Sequence, residues 1–229
     1  MSIERALDSL RAKKFVLVHD AKGRENEVDL VISAAAVRPE HVTTMRRDAG
    51  GLICVALKSE VADNFGVPYL TDIYRTAMPK FKVLKTAWPD DIPYDERSAF
   101  SITVNHRKTF TGVTDVDRAL TISELGKLAA EKKNSDLIEE FGREFRTPGH
   151  VYLLRAAKGL LAERRGHTEL VVALAELAGI TPVMCISEMM DARTKRALSG
   201  EKAKAYGKKH GIEFLEGSEI AKLTEGLRF

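Results

Sequence analysis

HDAKGRENEVDLVI, residues 19–32, sets a dense block of charge between two apolar runs. Phe15–Val18 just before it and Val28–Ile32 at its end are rich in β-branched and aromatic residues, which suit a pleated, half-buried surface, so both read as short buried strands. With the chain extended from residue 25 onward, the two-residue period of a strand puts Glu25, Glu27 and Asp29 on one face, within about 14 Å. Like charges this close repel unless something positive offsets them. A hard, oxygen-seeking divalent cation is the simplest partner. A charged edge strand that resists aggregation is the other reading of the same residues.

Working outward, residues 147–150 read TPGH and residues 164–169 read RRGHTE, the latter just ahead of a strongly apolar helical run. Gly, His and Thr at the mouth of a helix, preceded by arginines, supply backbone donors, a hydroxyl, the positive end of a helix dipole and positive charge. That combination suits an anion, phosphate first of all. RENEVD, PGH and RRGHTE occur in this order with GLIC at 51–54, FSITV at 100–104, TGVTDVDR at 111–118, and Leu177–Pro182 followed by Glu188. Together they resemble the 3,4-dihydroxy-2-butanone 4-phosphate synthases of riboflavin biosynthesis, over nearly the whole chain. No single motif is diagnostic; the order and spacing are specific.

A chain of 229 residues is long enough for one large domain with a full core, residues 1–229. The net charge is only +3, and Lys and Arg are mixed with acids almost everywhere, which argues against nucleic acid as a partner. No apolar run approaches the roughly 18 residues of a membrane span. The opening SIERALDSLRAKK has helical periodicity through Ile3, Ala6, Leu7 and Leu10 and lacks the apolar core of a signal peptide, so a cytoplasmic location is expected. Cys54 and Cys185 both lie in strand-like runs and read as buried free thiols, which leaves no disulfide framework. Neither a GxGxxG nor a GxxxxGK pattern is present, against a dehydrogenase or an NTPase.

Along the chain, Pro39–Arg47 reads as a helix stopped by Gly50 and Gly51, Leu52–Leu57 as a strand and Ser59–Phe65 as a short helix. Residues 67–97, with Pro68, Pro79, Pro89, Pro93 and Trp88, are the least regular part; a lid, an interface arm and surface decoration all fit. Phe100–Val104 is a strand by alternation. Thr121 with Glu124 suggests a capping box opening a helix to Lys133, and Ser135–Phe145 a second helix leading into a TPGH turn. Thr168–Leu177 is a helix closed by Gly179, and Val183–Ser187 a buried strand ending at Glu188. The tail reads helix, strand, helix over Gly200–Lys209, Ile212–Leu215 and Glu219–Leu223. Mixed rather than strictly alternating elements predict an α+β fold: a mixed β-sheet with helices packed on both faces, three layers in a single domain.

The resemblance implies a lyase that converts D-ribulose 5-phosphate to 3,4-dihydroxy-2-butanone 4-phosphate and formate. It places a divalent ion, Mg²⁺ or Mn²⁺, on Glu25 and His167. A histidine ligand is more natural for Mn²⁺, so Mg²⁺ rests on the resemblance. Glu27 and Glu188 become the proton-transfer groups, with a salt bridge from Glu188 to Arg193 as the structural alternative. Cys54 and His150 match further active-site positions. Arg24, Asp29, Arg164, Gly166 and Thr168 would bind substrate alongside Glu25, His167 and Glu188. Thr111 and His150 would reach into the neighbouring subunit's site in a homodimer. With only two cysteines there is no zinc cluster for the GTP cyclohydrolase II domain that some members carry, so the monofunctional form is expected.

This sequence departs from the common bacterial pattern at Gly23, Thr147, Arg165 and Asn105, with Arg146 adjacent to Thr147 as a possible substitute. None of these is a metal position. A phosphosugar isomerase or aldolase would use the same carboxylate, metal and phosphate parts, and a non-catalytic phosphate-binding or RNA-binding module would keep only the fold.

Overall fold

In the computed structural model, residues 3–131 and 136–226 are described. The chain opens with α1 (Ile3–Arg11), which buries Ala6, Leu7 and Leu10, the stripe its periodicity predicts. It then enters β1 (Val16–His19) and β2 (Val28–Ser33), paired antiparallel with Val18 opposite Asp29. Next come α2 (Pro39–Thr44) and a π-helical turn, Met45–Ala49, that ends at Gly50 in the left-handed region. β3 (Cys54–Leu57) and α3 (Ser59–Asn64) follow. The Pro-rich segment carries α4 (Leu70–Ala77) and α5 (Val83–Thr86) before β4 (Phe100–His106). The second half contains α6 (Asp115–Ala130), α7 (Leu137–Glu144), β5 (Phe145–Arg155), α8 (His167–Ala178) and β6 (Val183–Glu188). A small hairpin, β7 (Met190–Asp191) with β8 (Arg196–Ala197), precedes α9 (Gly200–His210), β9 (Glu213–Glu216) and α10 (Gly217–Thr224).

One sheet of seven strands, in the order β4-β5-β3-β6-β2-β1-β9, holds these elements together. Its β3–β5 and β1–β9 pairs are parallel and the rest antiparallel, so the expected mixed sheet is present. Alternate residues point to opposite faces. Leu30, Ile32, Val55, Leu57 and Cys185 join one core with Val42 of α2, Ile122 and Leu125 of α6 and Phe141 of α7. Val31, Cys54, Ala56, Met184 and Ile186 join the other with α1, α8 and Ile220 of α10. α8 is buried nearly all round, which explains why its sequence is apolar beyond a single stripe.

Several expectations are corrected. Thr121 does not open a helix. α6 starts six residues earlier at Asp115, where the Thr114 side chain accepts the Asp117 N–H. Thr121 is fully buried in mid-helix and accepts the backbone N–H of His106 at 2.9 Å, so a hydroxyl that ties helix to sheet mimics a cap in sequence. The helix ends at Ala130, and the expected end at Lys133 lies outside the described residues, as does Ser135. α7 is instead capped by Asp136.

TPGH does not connect two elements but lies inside β5, as four residues bulged out of the ladder: Arg146 pairs with Asn105 and Val151 with the adjacent Val104. Gly149 is needed there because a Cβ would collide with the backbone of Val104 and Asn105 on β4. The hairpin after Glu188 was not foreseen, since two-residue strands carry no periodic signal.

Thr121→Val keeps the shape of the side chain but leaves a buried N–H unpaired. It should lower unfolding stability by about 1–3 kcal/mol in urea titrations, with helix content in the native baseline unchanged.

Candidate active site

The residues of the opening stretch are placed by a loop rather than by an extended strand. Asn26 sits at φ 55°, so the two-residue period breaks there. The carboxylate of Asp20 organises the turn by accepting the backbone N–H groups of Glu25 at 3.0 Å and Glu27 at 3.1 Å. His19 Nε2 lies 3.2 Å from Asn26 Oδ1. Glu25 and Asp29 meet anyway, because both converge on His167 at the first position of α8. Its Nδ1 is 3.1 Å from Glu25 Oε2, and its Nε2 is 3.3 Å from the Glu27 carbonyl oxygen and 3.7 Å from Asp29 Oδ1.

Both ring nitrogens thus face acceptors, the arrangement an imidazolium requires. Burial opposes that charge, but Asp29, the bond to Glu25 and the nearby Asp20 outweigh it and push His167 up to about 10. The same hydrogen bond pulls the Glu25 carboxyl down.

The β2–β6 register sets Asp29 directly opposite Glu188. Burial pushes both carboxyls up, and repulsion from neighbouring carboxylates adds to it. Glu27 is raised by burial and then by Glu188 and Glu25. Asp29 Oδ1 and Glu188 Oε2 are buried with no hydrogen-bond partner among the described residues. Glu188 has room only because position 51 is glycine, where a Cβ would strike its carboxylate. No ion pair joins it to Arg193, whose backbone N–H goes to Asp191 instead.

Cys54 lines the same cleft, and burial, with Glu188 and Asp29 nearby, pushes its thiol well above the usual range. It is therefore a neutral wall residue in this state and not a thiolate. Asp20, Glu25 and His167 each present a ligand atom within 4.8 Å of the other two, a grouping able to hold a cation.

Arg164 and Thr168 complete the far wall at the mouth of α8, and Gly166 caps that helix without a side chain. Arg164 binds Glu169 at 2.5 Å and Asp95 at 2.7 Å, and Arg24 binds the same Asp95 oxygen at 2.8 Å. Tyr94 and Asp95, with Ile92, also line the cleft, so the irregular segment supplies a wall of the site.

With this geometry in hand, the comparisons with known proteins are decisive. The profile of the 3,4-dihydroxy-2-butanone 4-phosphate synthase family matches residues 4–223. The chain belongs to this family. It is similar to the synthase of Methanothermobacter thermautotrophicus, 51% identical over 95% of this chain and 93% of that one. It is 34% identical to the synthase of Saccharomyces cerevisiae over 96% of each. A solved synthase in complex with two magnesium ions superposes with TM-score 0.76 at 28% identity, over 99% of this chain and 98% of that one. The Candida albicans synthase gives 0.74 at 31% identity over 97% of each. The chain is therefore an enzyme of a riboflavin-biosynthesis family, one structure of which carries Mg²⁺.

Five of the positions expected from sequence, Arg24, Glu27, Thr111, His150 and Gly166, are not among the residues that line the cleft, although Arg24 bonds its Asp95 and the Glu27 carbonyl faces its His167. His150 is exposed on β5, where its backbone N–H donates to Asn105 Oδ1 at 2.9 Å and its Nδ1 lies 3.1 Å from the Asn105 amide. Thr111 is exposed and held by Asp117. Asn105, a departure from the common pattern, thus carries a histidine rather than closing a strand. Arg146 does not stand in for an arginine at 147, because its guanidinium bonds the carbonyl of Thr109 at 3.1 Å. Arg165 is exposed with its Nε 3.4 Å from the Leu161 carbonyl oxygen, and Gly23 lies in an exposed turn. Sequence reasoning missed Asp20, Asp95 and Glu169. Asp20 lies inside the quoted 19–32 stretch and Glu169 ends RRGHTE, but Asp95 had no periodic context.

Because His167 titrates higher folded than unfolded, its contribution to stability is full below about pH 6.5 and is lost as pH rises through about 10. Melting temperatures of metal-stripped wild type and His167→Gln should converge across that range. A gap independent of pH would contradict the imidazolium.

Proposed function

We propose that the chain is a cytoplasmic lyase that converts D-ribulose 5-phosphate to 3,4-dihydroxy-2-butanone 4-phosphate and formate with a divalent cation. The observation that carries this is the Glu25–His167 pair beside the unpartnered oxygens of Asp29 and Glu188, in a cleft lined by Arg164, with Arg24 bound to the Asp95 of its wall. Orphaned buried carboxylate oxygens fit a cation, since without one they forfeit their hydration. Glu25 and His167 would hold it, with Asp20 beside them. Mg²⁺ is preferred because a similar synthase binds it, although the imidazole suits Mn²⁺ better. When bound, the ion supplies Lewis-acid stabilisation to negative charge developing on adjacent substrate oxygens.

The chain's own groups then divide the work. Arg24, Arg164, Thr168 and the mouth of α8 at Gly166 hold the phosphate. Asp29 orients a sugar hydroxyl. Glu27 and Glu188 carry the protons. One takes a proton from carbon beside the carbonyl and the other protonates the hydroxyl that leaves as water, roles that suit carboxyls raised toward neutrality. A water returns when the excised carbon departs as formate, so product and formate together contain the atoms of the substrate. Cys54 packs against the reacting carbons.

His150 and Thr111 enter from a second copy in a homodimer with shared sites. Both are exposed, and so, at 94%, is Phe110 beside Thr111, which supports this. Among the described residues no helix is long and apolar enough to cross a membrane.

Purified, metal-stripped protein should release formate from D-ribulose 5-phosphate only after Mg²⁺ or Mn²⁺ is added, and Glu25→Gln should lose at least about a hundredfold of the rate. Substrate consumed without formate would point to an isomerase or aldolase. In an equimolar mix, inactive His150→Ala and Glu188→Gln chains should recover roughly a quarter of wild-type activity through heterodimers, each with one intact site. No recovery in confirmed heterodimers would refute the shared sites.

A further inference from the structure

The two arginines read as the phosphate site are already occupied by an anion of the chain itself. Asp95 Oδ2 lies 2.7 Å from Arg164 Nε, 2.5 Å from Arg164 Nη2 and 2.8 Å from Arg24 Nη2. Nε and Nη2 form one edge of a guanidinium, the edge that takes a carboxylate or phosphate in forked geometry. Asp95 therefore sits where a substrate phosphate oxygen would bind.

The other side of Arg164 is held independently. Nη1 bonds Glu169 Oε2 at 2.5 Å, and the fully buried Glu169 is anchored on α8 with its second oxygen accepting the Ala157 N–H at 2.9 Å. Glu169 thus gives the guanidinium an anchor that does not involve Asp95. Asp95 also belongs to no helix or strand: it lies in the connection between α5 and β4 that lines the cleft through Ile92, Tyr94 and Ser98. An anion fixed on a helix positions Arg164, and a second anion on a connecting segment covers its binding edge.

We propose that Asp95 is a built-in competitor for the substrate phosphate, released from Arg24 and Arg164 when a phosphate dianion binds, and that it sets the selectivity of the site for phosphorylated over unphosphorylated sugars. The inference rests on the phosphate-site reading of the two arginines given above. A neutral sugar offers nothing to replace the carboxylate between two cations, whereas a dianion with three acceptor oxygens does. Binding of phosphate also uncouples the 92–98 segment from the arginines, so entry of the correct substrate and movement of that wall become one event.

The test uses the full-length protein and inorganic phosphate as the probe, with binding followed by calorimetry at low ionic strength. Asp95→Asn should bind phosphate about five- to tenfold more tightly than wild type, because a competing charge is removed while the shape is kept. Asp95→Ala should change in the same direction. Glu169→Gln should weaken binding, because Arg164 then loses its anchor. In the wild-type protein, where no variant can misfold, added phosphate should raise hydrogen exchange of the amides at 92–98.

Unchanged or weaker phosphate binding in folded Asp95→Asn and Asp95→Ala, or exchange at 92–98 that falls with phosphate, would overturn the proposal. Tighter phosphate in the variants with no formate release by wild type would support the competitor and remove only the synthase reading. Formate release by wild type with unaltered phosphate affinity in the variants would do the reverse.

Discussion

Asp29 and Glu188 face each other across two neighbouring strands in the middle of the sheet, and most of what surrounds them answers that one placement. Like charges directly opposite in an antiparallel pair are unfavourable, and burial makes them more so. The register cannot slip to relieve it, because a one-residue shift of β6 would turn Cys185 and Met184 out of the cores they fill on opposite faces. The repulsion is met instead by positive charge brought from elsewhere. His167 is delivered by the first turn of α8, itself locked by burial on nearly every side. The site is in this sense a consequence of the core: the apolar pattern sets the register, and the register sets the carboxylates together.

The same logic explains why the charged loop before β2 is so heavily organised. Asp20 spends both carboxylate oxygens on backbone N–H groups, and His19 and Asn26 lie in contact behind it. Glu25 and Glu27 could not otherwise be held near Asp29, since each added carboxylate raises the cost of the others. Glu25 keeps a lowered pKa chiefly because of its hydrogen bond to His167, with the charges of His167, Arg164 and Arg24 adding to it against burial. The chain therefore holds side by side one carboxylate that stays ionised and others pushed toward neutrality, and the proposed division between a cation ligand and proton carriers draws on that difference.

Much of this was legible in the sequence, and the boundary of legibility has a physical form. Buried strands and α8 announced themselves because β-branched and apolar runs of the right length have few other uses. The carboxylates, the arginines and His167 were found through motif order, even though the expected extended geometry from residue 25 fails at Asn26. TPGH and Thr121 were misread for a common reason. Pro, Gly and Thr are local signals of turns and caps, yet here Gly149 and Thr121 answer long-range contacts with β4 that no local window contains. Asp95 was missed because the segment that carries it has no period, and its meaning comes from arginines 69 and 71 residues away in sequence.

That separation also accounts for how charge is distributed along the cleft. The metal-side carboxylates are carried by the sheet and by the short loop that Asp20 fixes, whereas Asp95 rides on an irregular segment whose wall residues are half-exposed or exposed. A phosphosugar needs both ends at once: one end must be rigid, so that acids and cation keep their spacing during proton transfer, and the other must admit a charged group from water. With Asp95 in place, the positive charge at one end is screened by a carboxylate of the chain itself, and the negative cluster at the other keeps His167 as its own counter-charge.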